Sequence, residues 1–262
     1  MERFYTQNKS ALKKITKNLL ARIFIHFEFI NSITKYSRGI GWYSTLDQEI
    51  NFLIGKQNNF FTLLDIGANQ GDYSITVSKA YPKSTIYSFE PSQKTFDLLN
   101  RNVENFANIN PVQLAFGAEK GVMNLYYDFE TSGMASLYKR DISHLGINFE
   151  SKELVDVQTV DEWVEANCIM PNFMKIDVEG SELSVLKGAT KTLKNINAVQ
   201  FEFGGTAIDA KIFFKDYWNF FQQLNFSIYR YTPLGLLKIN DYSEQEELFE
   251  FMNYLAVPTM IN

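Results

Sequence analysis

The chain has 262 residues, of which 45% are hydrophobic and 15% aromatic, enough for one globular domain with a substantial core. This composition excludes a disordered chain, and the net charge of −5 excludes a dominant basic surface, so we expect no nucleic-acid partner. The single cysteine, Cys168, excludes an internal disulfide and a multi-thiolate zinc site, and it fits a reducing, cytoplasmic location.

The first 55 residues are predicted to form a helical cap on a domain that occupies residues 56–262. Residues 19–30 (LLARIFIHFEFI) are apolar but are interrupted by charged side chains, whereas a membrane-spanning helix needs about 20 nearly uninterrupted apolar residues. We therefore predict an amphipathic helix without stable membrane insertion. Peripheral membrane contact and the oligomeric state are left open.

From residue 60 onward, short apolar runs alternate with amphipathic segments, which is typical of β-α-β units and a mostly parallel sheet. The predicted strands are residues 61–66, 85–89, 110–116, 122–127, 154–160, 173–177 and 198–203, and the predicted helices include residues 72–80 and about 211–224. The strands at 122–127 and 154–160, with the polar residues 130–150 between them, are predicted to form an inserted hairpin. Residues 226–257 are predicted to add an antiparallel finish to the sheet.

The first chemical signal is the turn LLDIGANQG, which follows the first predicted strand and opens a helix. Gly67 allows a ligand to approach the backbone closely, and Gly71 allows a tight entry into the helix. Dinucleotide sites favour G-x-G-x-x-G, but here Asn69 and Asp72 occupy the second and third glycine positions. S-adenosylmethionine carries no phosphate but has an amino acid end and a positively charged sulfur. An acidic residue such as Asp65 therefore favours this cofactor instead of repelling it. An ordinary strand-to-helix turn is the alternative.

Glu90 ends the second predicted strand, directly before Pro91. A carboxylate at this position can accept both hydroxyls of a ribose. This role serves NAD and S-adenosylmethionine equally, so it indicates an adenosine-containing cofactor without choosing between the two. A solvated strand end is the alternative.

Three more carboxylates follow neighbouring strands of the predicted sheet. Asp177 and Glu179 come after the strand at residues 173–177, and Glu202 ends the next strand. In an open parallel sheet, this edge is where ligands bind. Asp177 is expected to face the cationic end of the cofactor, and Asp177 or Glu179 to be the catalytic base. A Mg²⁺ cage of Asp177 and Glu202 is the rival arrangement, and we assign no metal site.

Together these segments resemble the FkbM family of methyltransferases. The resemblance rests on LLDIGANQGDYS (63–74), YSFEPS (87–92), QLAFG (113–117), VQTVDEW (157–163), MKIDVEGSELSVLKGA (174–189) and FEFGG (201–205), in this order. It implies a class I Rossmann-like sheet, S-adenosylmethionine as the methyl donor, and O-methylation of a hydroxyl.

The resemblance also implies roles for individual residues. Asp65, Gly67, Asn69 and Gly71 would hold the methionine end of the cofactor, Glu90 its ribose hydroxyls, and Ala115 and Phe116 would lie near its adenine. Ala68 and Pro91 are expected to be further cofactor-binding residues. Family members act on macrolide-type and saccharide hydroxyls, which favours a carbohydrate or glycoside acceptor and a role in polysaccharide synthesis.

Acceptor contacts are expected from Glu202, from Met134 and Ser136 in the small-residue segment GMASL, and from Tyr43 in the cap. Two other functions remain open. An NAD-dependent oxidoreductase would share Glu90 and the glycine turn, although no Tyr-x-x-x-Lys or histidine pair for hydride transfer is evident. The other is a non-catalytic nucleoside-binding module.

Overall fold

The computed structural model describes residues 32–40, 43–55 and 60–259. Its strands are β1 (Thr62–Ile66), β2 (Thr85–Phe89), β3 (Ile109–Val112), β4 (Ala115–Phe116), β5 (Gly121–Tyr127), β6 (Ser151–Gln158), β7 (Phe173–Ile176), β8 (Ala198–Phe203), β9 (Phe226–Thr232), β10 (Gly235–Ile239) and β11 (Met252–Pro258). Its helices are α1 (Leu46–Leu53), α2 (Asp72–Ala80), α3 (Gln93–Val103), α4 (Val160–Ala166), α5 (Glu182–Lys187), α6 (Thr206–Ala210) and α7 (Phe214–Gln223).

Strand β1 lies inside an eight-stranded sheet with the order β10-β9-β11-β8-β7-β1-β2-β3. The strands from β8 to β3 in this order are parallel to their neighbours, whereas β11 is antiparallel to both β8 and β9. The connections after β1 and β7 lead away from each other, which leaves a crevice at the carboxyl ends of these two strands. The predicted class I Rossmann-like fold, mostly parallel with an antiparallel C-terminal strand, is confirmed.

The core has two main parts, one on each face of the sheet, because successive side chains of a strand point to opposite faces. Leu64 and Ile176 face one part, where they are buried together with residues of α4, α5 and α7. Leu63 and Phe173 face the other part, with residues of α1, α2 and α3. The central strands are therefore buried on both faces, which explains why their sequences are apolar runs rather than alternating patterns.

The inserted segment is a second, three-stranded sheet with the order β4-β6-β5. β5 and β6 pair antiparallel, as expected of a hairpin, and β4 joins β6 in parallel. The single strand predicted at residues 110–116 is therefore wrong: it divides into β3, which belongs to the large sheet, and β4, which belongs to the small one. The helix predicted at residues 211–224 is also shorter and begins at Phe214.

The end of the predicted cap is helical and packs on the sheet. α1 begins with a capping box, in which the Thr45 side chain accepts the Gln48 N–H at 3.3 Å and the Gln48 side chain accepts the Thr45 N–H at 3.0 Å. Ile50 and Leu53 of α1 are buried in the same core as Leu63. The helix predicted at residues 19–30 lies outside the described residues, and the division at residue 55 remains a prediction. None of the described helices is long and apolar enough to cross a membrane.

Candidate active site

The turn after β1 packs tightly against the end of β7. Gly67 has a φ of +80°, and a Cβ atom at this position would lie 1.8 Å from the carbonyl oxygen of Asp177. The N–H groups of Gly67 and Ala68 donate to the carbonyl oxygen of Phe89 at 3.0 and 2.9 Å. Glycine is therefore required here both by the left-handed backbone and by the approach of the neighbouring strand.

A buried lysine joins this turn to the two strands beside it. Lys175 Nζ donates to the carbonyl oxygen of Gly67 at 3.0 Å and lies 3.4 Å from both Asp65 Oδ1 and Asp177 Oδ2. Burial disfavours the charged ammonium, but the carboxylates of Asp177, Asp65 and Glu49 outweigh this effect and raise the pKa of Lys175. Lys175 is therefore a buried cation held by surrounding carboxylates.

Asp65 lies beneath the turn, away from the cavity that the turn borders. It is fully buried, and its Oδ2 accepts a hydrogen bond from Ser74 Oγ at 2.6 Å. Through Lys175, Asp65 holds the turn in place. Gly71 has a similar indirect role, because it begins α2 with a φ of +96° and a Cβ there would lie 2.8 Å from Leu99.

The crevice between β1 and β7 opens into a cavity, which we call the first cavity. Eight residues predicted for the cofactor or for catalysis line it: Gly67, Asn69, Glu90, Pro91, Ala115, Phe116, Asp177 and Glu179. The inserted segment adds Ser132, Gly133, Ala135 and Leu137. The sequence motifs therefore meet in one place, whereas Ala68 lies within the turn behind it.

Glu90 presents a buried carboxylate to the first cavity. Its Oε2 accepts the N–H of Asn69 at 3.1 Å, and its Oε1 accepts the N–H of Ser92 at 3.0 Å. Ser92 begins α3 without a side-chain cap, so it contributes its backbone here. A carboxylate has about four acceptor positions, so about two remain for a ligand. Burial raises the pKa of Glu90 to about 7 in spite of the two N–H groups.

The side chain of Asn69 presents a further polar atom to the first cavity. Its backbone is left-handed, with a φ of +48°, which asparagine tolerates better than most residues. Its Oδ1 is buried and, within the described residues, accepts no hydrogen bond. A buried polar atom of this kind is costly unless a ligand satisfies it, so Asn69 fits a ligand with a hydrogen-bond donor.

Asp177, Glu179 and Glu202 form what we call the carboxylate cluster. One oxygen of each side chain lies within 4.8 Å of the others, and in the described part of the chain this is a group with the spacing to hold a metal ion. Burial and the neighbouring Asp177 raise the pKa of Glu179 to about 8 and that of Glu202 well above its usual range. Both glutamates therefore hold a proton at a higher pH than exposed glutamates do.

The inserted segment holds Glu179 from outside. Ser136 is fully buried and donates through Oγ to the carbonyl oxygen of Glu179 at 2.6 Å. Arg140 Nη1 lies 3.4 Å from Glu179 Oε2, and its Nε lies 3.6 Å from Asp209 Oδ2. Ser136 therefore supports the backbone of the cluster. Met134, by contrast, does not line the first cavity.

Glu202 also lines a second cavity, between the end of the cap and the C-terminal strand. Its other lining residues include Tyr43, which is 74% exposed, together with Glu49 and Asn253. We call this the second cavity. Asp177 and Glu179 line the first cavity and Glu202 lines the second, so the carboxylate cluster borders both.

Sequence reasoning missed Lys175, Arg140 and Glu182. Glu182 accepts the N–H groups of Val178 and Gly180 at 3.0 and 3.1 Å, which fixes the loop that carries Glu179. Lys175 could have been found, because a lysine inside a buried strand needs a carboxylate partner. Arg140 lies in a polar segment whose sequence shows no hydrophobic periodicity from which its position could be predicted.

The chain belongs to the FkbM methyltransferase family: the family described as "Methyltransferase FkbM domain" matches residues 65–228. Every carboxylate of the cluster and every residue of the glycine turn from Asp65 onward lies inside this range. Tyr43 and Glu49, which line the second cavity, lie before it.

Three relatives show the range of the family. The chain is 30% identical over 142 residues to "Methyltransferase 1" of Beauveria bassiana, which covers 48% of this chain and 57% of that protein. It is 30% identical over 152 residues to "Hexuronic acid methyltransferase AglP" of Haloferax volcanii, with 57% and 59% covered. It is 22% identical over 151 residues to "2-O-methyltransferase NoeI" of Sinorhizobium fredii, with 54% and 62% covered. These matches therefore span less than two thirds of each relative.

We predict that Gly67→Ala destabilises the protein by more than about 4 kcal/mol, because the added methyl group meets the backbone of Asp177. Gly146→Ala is the matched control, since Gly146 has a similar φ of +75° but no atom within 4 Å of an added Cβ. That control should cost only about 1–2 kcal/mol of backbone strain. Urea unfolding measures both, and equal costs would contradict the close approach.

We predict that Glu202→Gln raises the melting temperature at about pH 8 but not at about pH 4. The folded-state pKa of Glu202 is raised, so its stabilising contribution is complete below the unfolded value of 4.5 and is lost as the pH rises through the folded value. A neutral glutamine avoids this loss, and each kcal/mol regained adds about 2–4 °C. Calorimetric melts should show no change for the exposed Glu119→Gln. A Glu202→Gln protein that melts at a lower temperature than the wild type at about pH 8 would contradict the raised pKa of Glu202.

Proposed function

We propose that this protein is an S-adenosylmethionine-dependent methyltransferase that methylates a hydroxyl group of a carbohydrate or glycoside. The observation that supports this most is the position of the carboxylate cluster, which borders both the first and the second cavity. A cofactor in the first cavity and an acceptor in the second would meet at a group of bases.

The residues of the first cavity fit this cofactor along its length. Glu90 has acceptor positions left for two ribose hydroxyls, and the unpartnered Oδ1 of Asn69 suits the amino group of the methionine end. Leu114, Ala115 and Phe116 provide an apolar wall for adenine. Asp177 offers negative charge to the cationic sulfur.

The same cavity argues against NAD. A dinucleotide brings a pyrophosphate, which favours a helix N-terminus with glycines and cations nearby. None of the described residues that line the first cavity is basic, whereas Glu90, Asp177 and Glu179 are acidic. The non-catalytic module is disfavoured because a binding site alone does not need three adjacent carboxylates, two of which have raised pKa values.

When bound, S-adenosylmethionine supplies a methyl group on a positively charged sulfur, so the protein has to position the acceptor and remove its proton. Glu179 takes the proton of the acceptor hydroxyl, because its pKa of about 8 makes it, once ionised, a stronger base than a glutamate of ordinary pKa. Arg140 orients the carboxylate of Glu179, and Asp177 keeps Lys175 charged. Asp177 as the base, or a Mg²⁺ ion held by Asp177 and Glu202, are the alternatives.

The carbohydrate part of the proposal draws on two relatives, whose names give a hexuronic acid and a 2-O position as the sites of methylation. Tyr43, Glu202 and Asn253 in the second cavity can bind hydroxyl groups. We further propose that residues 1–55 form the cap, and that the reaction takes place in the cytoplasm, on a glycan or a smaller glycoside.

We predict micromolar binding of S-adenosylmethionine and S-adenosylhomocysteine, and no binding of NAD, by isothermal titration calorimetry. Glu90→Gln should weaken binding about 10–100-fold, as expected for hydrogen bonds to a charged group. Binding should also tighten as the pH rises through about 7, since ionised Glu90 is the better acceptor. Glu119→Gln, in an exposed position, is the control. Binding of NAD alone, or of no nucleotide, would overturn the proposal.

We predict that kcat/KM for methyl transfer to methyl glycosides rises with pH and levels off above about 8, because Glu179 must lose its proton to act as the base. Glu179→Gln should lower the rate about 10²–10⁴-fold with little change in S-adenosylmethionine affinity. A profile that does not change as the pH passes through about 8 would exclude Glu179 as the base. Loss of activity in EDTA that Mg²⁺ restores would favour the metal arrangement.

A further inference from the structure

The second cavity joins parts of the chain that are distant in sequence. Tyr43, Ser44 and Glu49 come from the end of the cap, whereas Asn253 comes from the last strand. Asn253 lies directly opposite Glu202 in the pairing of β11 with β8. Since side chains of opposed residues share one face of a sheet, Asn253 and Glu202 form one wall of this cavity.

The hydrogen bonds within this wall converge on Glu49. Its Oε1 accepts from Ser44 Oγ at 2.6 Å and from Asn253 Nδ2 at 3.0 Å, and its Oε2 accepts from Gln200 Nε2 at 2.8 Å. Burial raises the pKa of Glu49 above its usual value, although the hydrogen bonds from Ser44 and Gln200 act against the rise. The carboxylate is therefore fixed in position and poorly solvated.

Among the described residues that line the second cavity, the ionisable carboxyl groups are all acidic in character. None of the described residues that line it is basic, while both Glu49 and Glu202 are acidic. Glu202 Oε2 is buried and, among the described residues, has no hydrogen-bond donor. Lys175, a buried cation that acts on the pKa of Glu202, is already bound to Asp65 and Asp177.

We propose that the second cavity selects an acceptor that carries no negative charge, namely a hydroxylated ring such as a neutral or amine-bearing sugar, and rejects a uronic acid. The carboxylate of a uronic acid would lose water next to Glu49 and Glu202 without gaining a cation, which is unfavourable. Hydroxyl and amine donors, by contrast, would satisfy the unpartnered oxygen of Glu202.

The open side of the cavity suits the ring of such an acceptor. Tyr43 is 74% exposed and offers an aromatic face beside the acidic wall. This selectivity rests on the proposed function, because it identifies the second cavity as the acceptor site. The choice between neutral and acidic sugars depends on the residues that line the second cavity, whereas methyl transfer depends on the carboxylate cluster.

The test compares three matched probes: methyl β-D-glucoside, methyl β-D-glucosaminide and methyl β-D-glucuronide. Their affinities are measured by saturation-transfer NMR on the full chain, with and without S-adenosylhomocysteine. We expect the glucuronide to bind at least about tenfold more weakly than the other two, because its carboxylate loses water in the cavity without gaining a cation. Equal or tighter binding of the glucuronide, or no binding of any probe, would overturn the inference.

A charge substitution tests the cause. Asn253→Lys places a cation beside Glu49 and Glu202, so the glucuronide should gain affinity relative to the glucoside by about tenfold. Met170→Lys changes the net charge equally at a position that is 86% exposed, and it should leave the ratio unchanged. Glu49→Gln should move the ratio in the same direction, which keeps the test valid if the lysine variant does not fold.

An unchanged ratio in both cavity variants would contradict the inference even if the wild-type preference were as expected. Failure of S-adenosylhomocysteine to bind would instead count against the proposed function, because that ligand belongs to the first cavity. The two proposals therefore fail by different measurements.

Discussion

The buried ammonium of Lys175 is the contact on which the site depends. It lies in the middle of an apolar strand, where a lone charge would be prohibitively unfavourable, and three oxygen atoms make it acceptable: Asp65 Oδ1, Asp177 Oδ2 and the carbonyl of Gly67. These three partners belong to β1, to the turn that follows it, and to the loop after β7. One cation therefore fixes the two segments that border the first cavity, and it explains why Asp65 supports that cavity without lining it.

Lys175 is outnumbered by the carboxylates that surround it, and the excess shapes the chemistry of the site. Glu179 and Glu202 lie near Asp177 in a poorly solvated region, so the pKa values of both rise. Arg140 offsets part of the charge from the inserted segment, but it also approaches Asp209. Concentrated negative charge lowers stability at high pH, and the same charge makes a base of useful strength and an environment suited to a cationic methyl donor.

On the proposed function, cofactor binding and acceptor binding take place in two different cavities. The glycine turn, Glu90 and the inserted segment enclose the first cavity, and all of them lie within the family match at residues 65–228. Tyr43 and Glu49, on the second cavity, lie before that range. On the proposed function, the cofactor cavity therefore lies within the family match, and part of the acceptor cavity lies outside it.

The sequence by itself determined the fold class and most of the first cavity, because these depend on local signals: apolar runs of strand length, glycines at a turn, and acidic residues at strand ends. The tertiary structure decided the rest. The split of residues 110–116 between two sheets, the burial of Asp65 and the contact of Arg140 with Glu179 all arise from pairings between distant segments, which no local pattern records. The pKa of Glu179 likewise depends on which charges surround it in three dimensions, and the second cavity exists only where the cap meets the last strand.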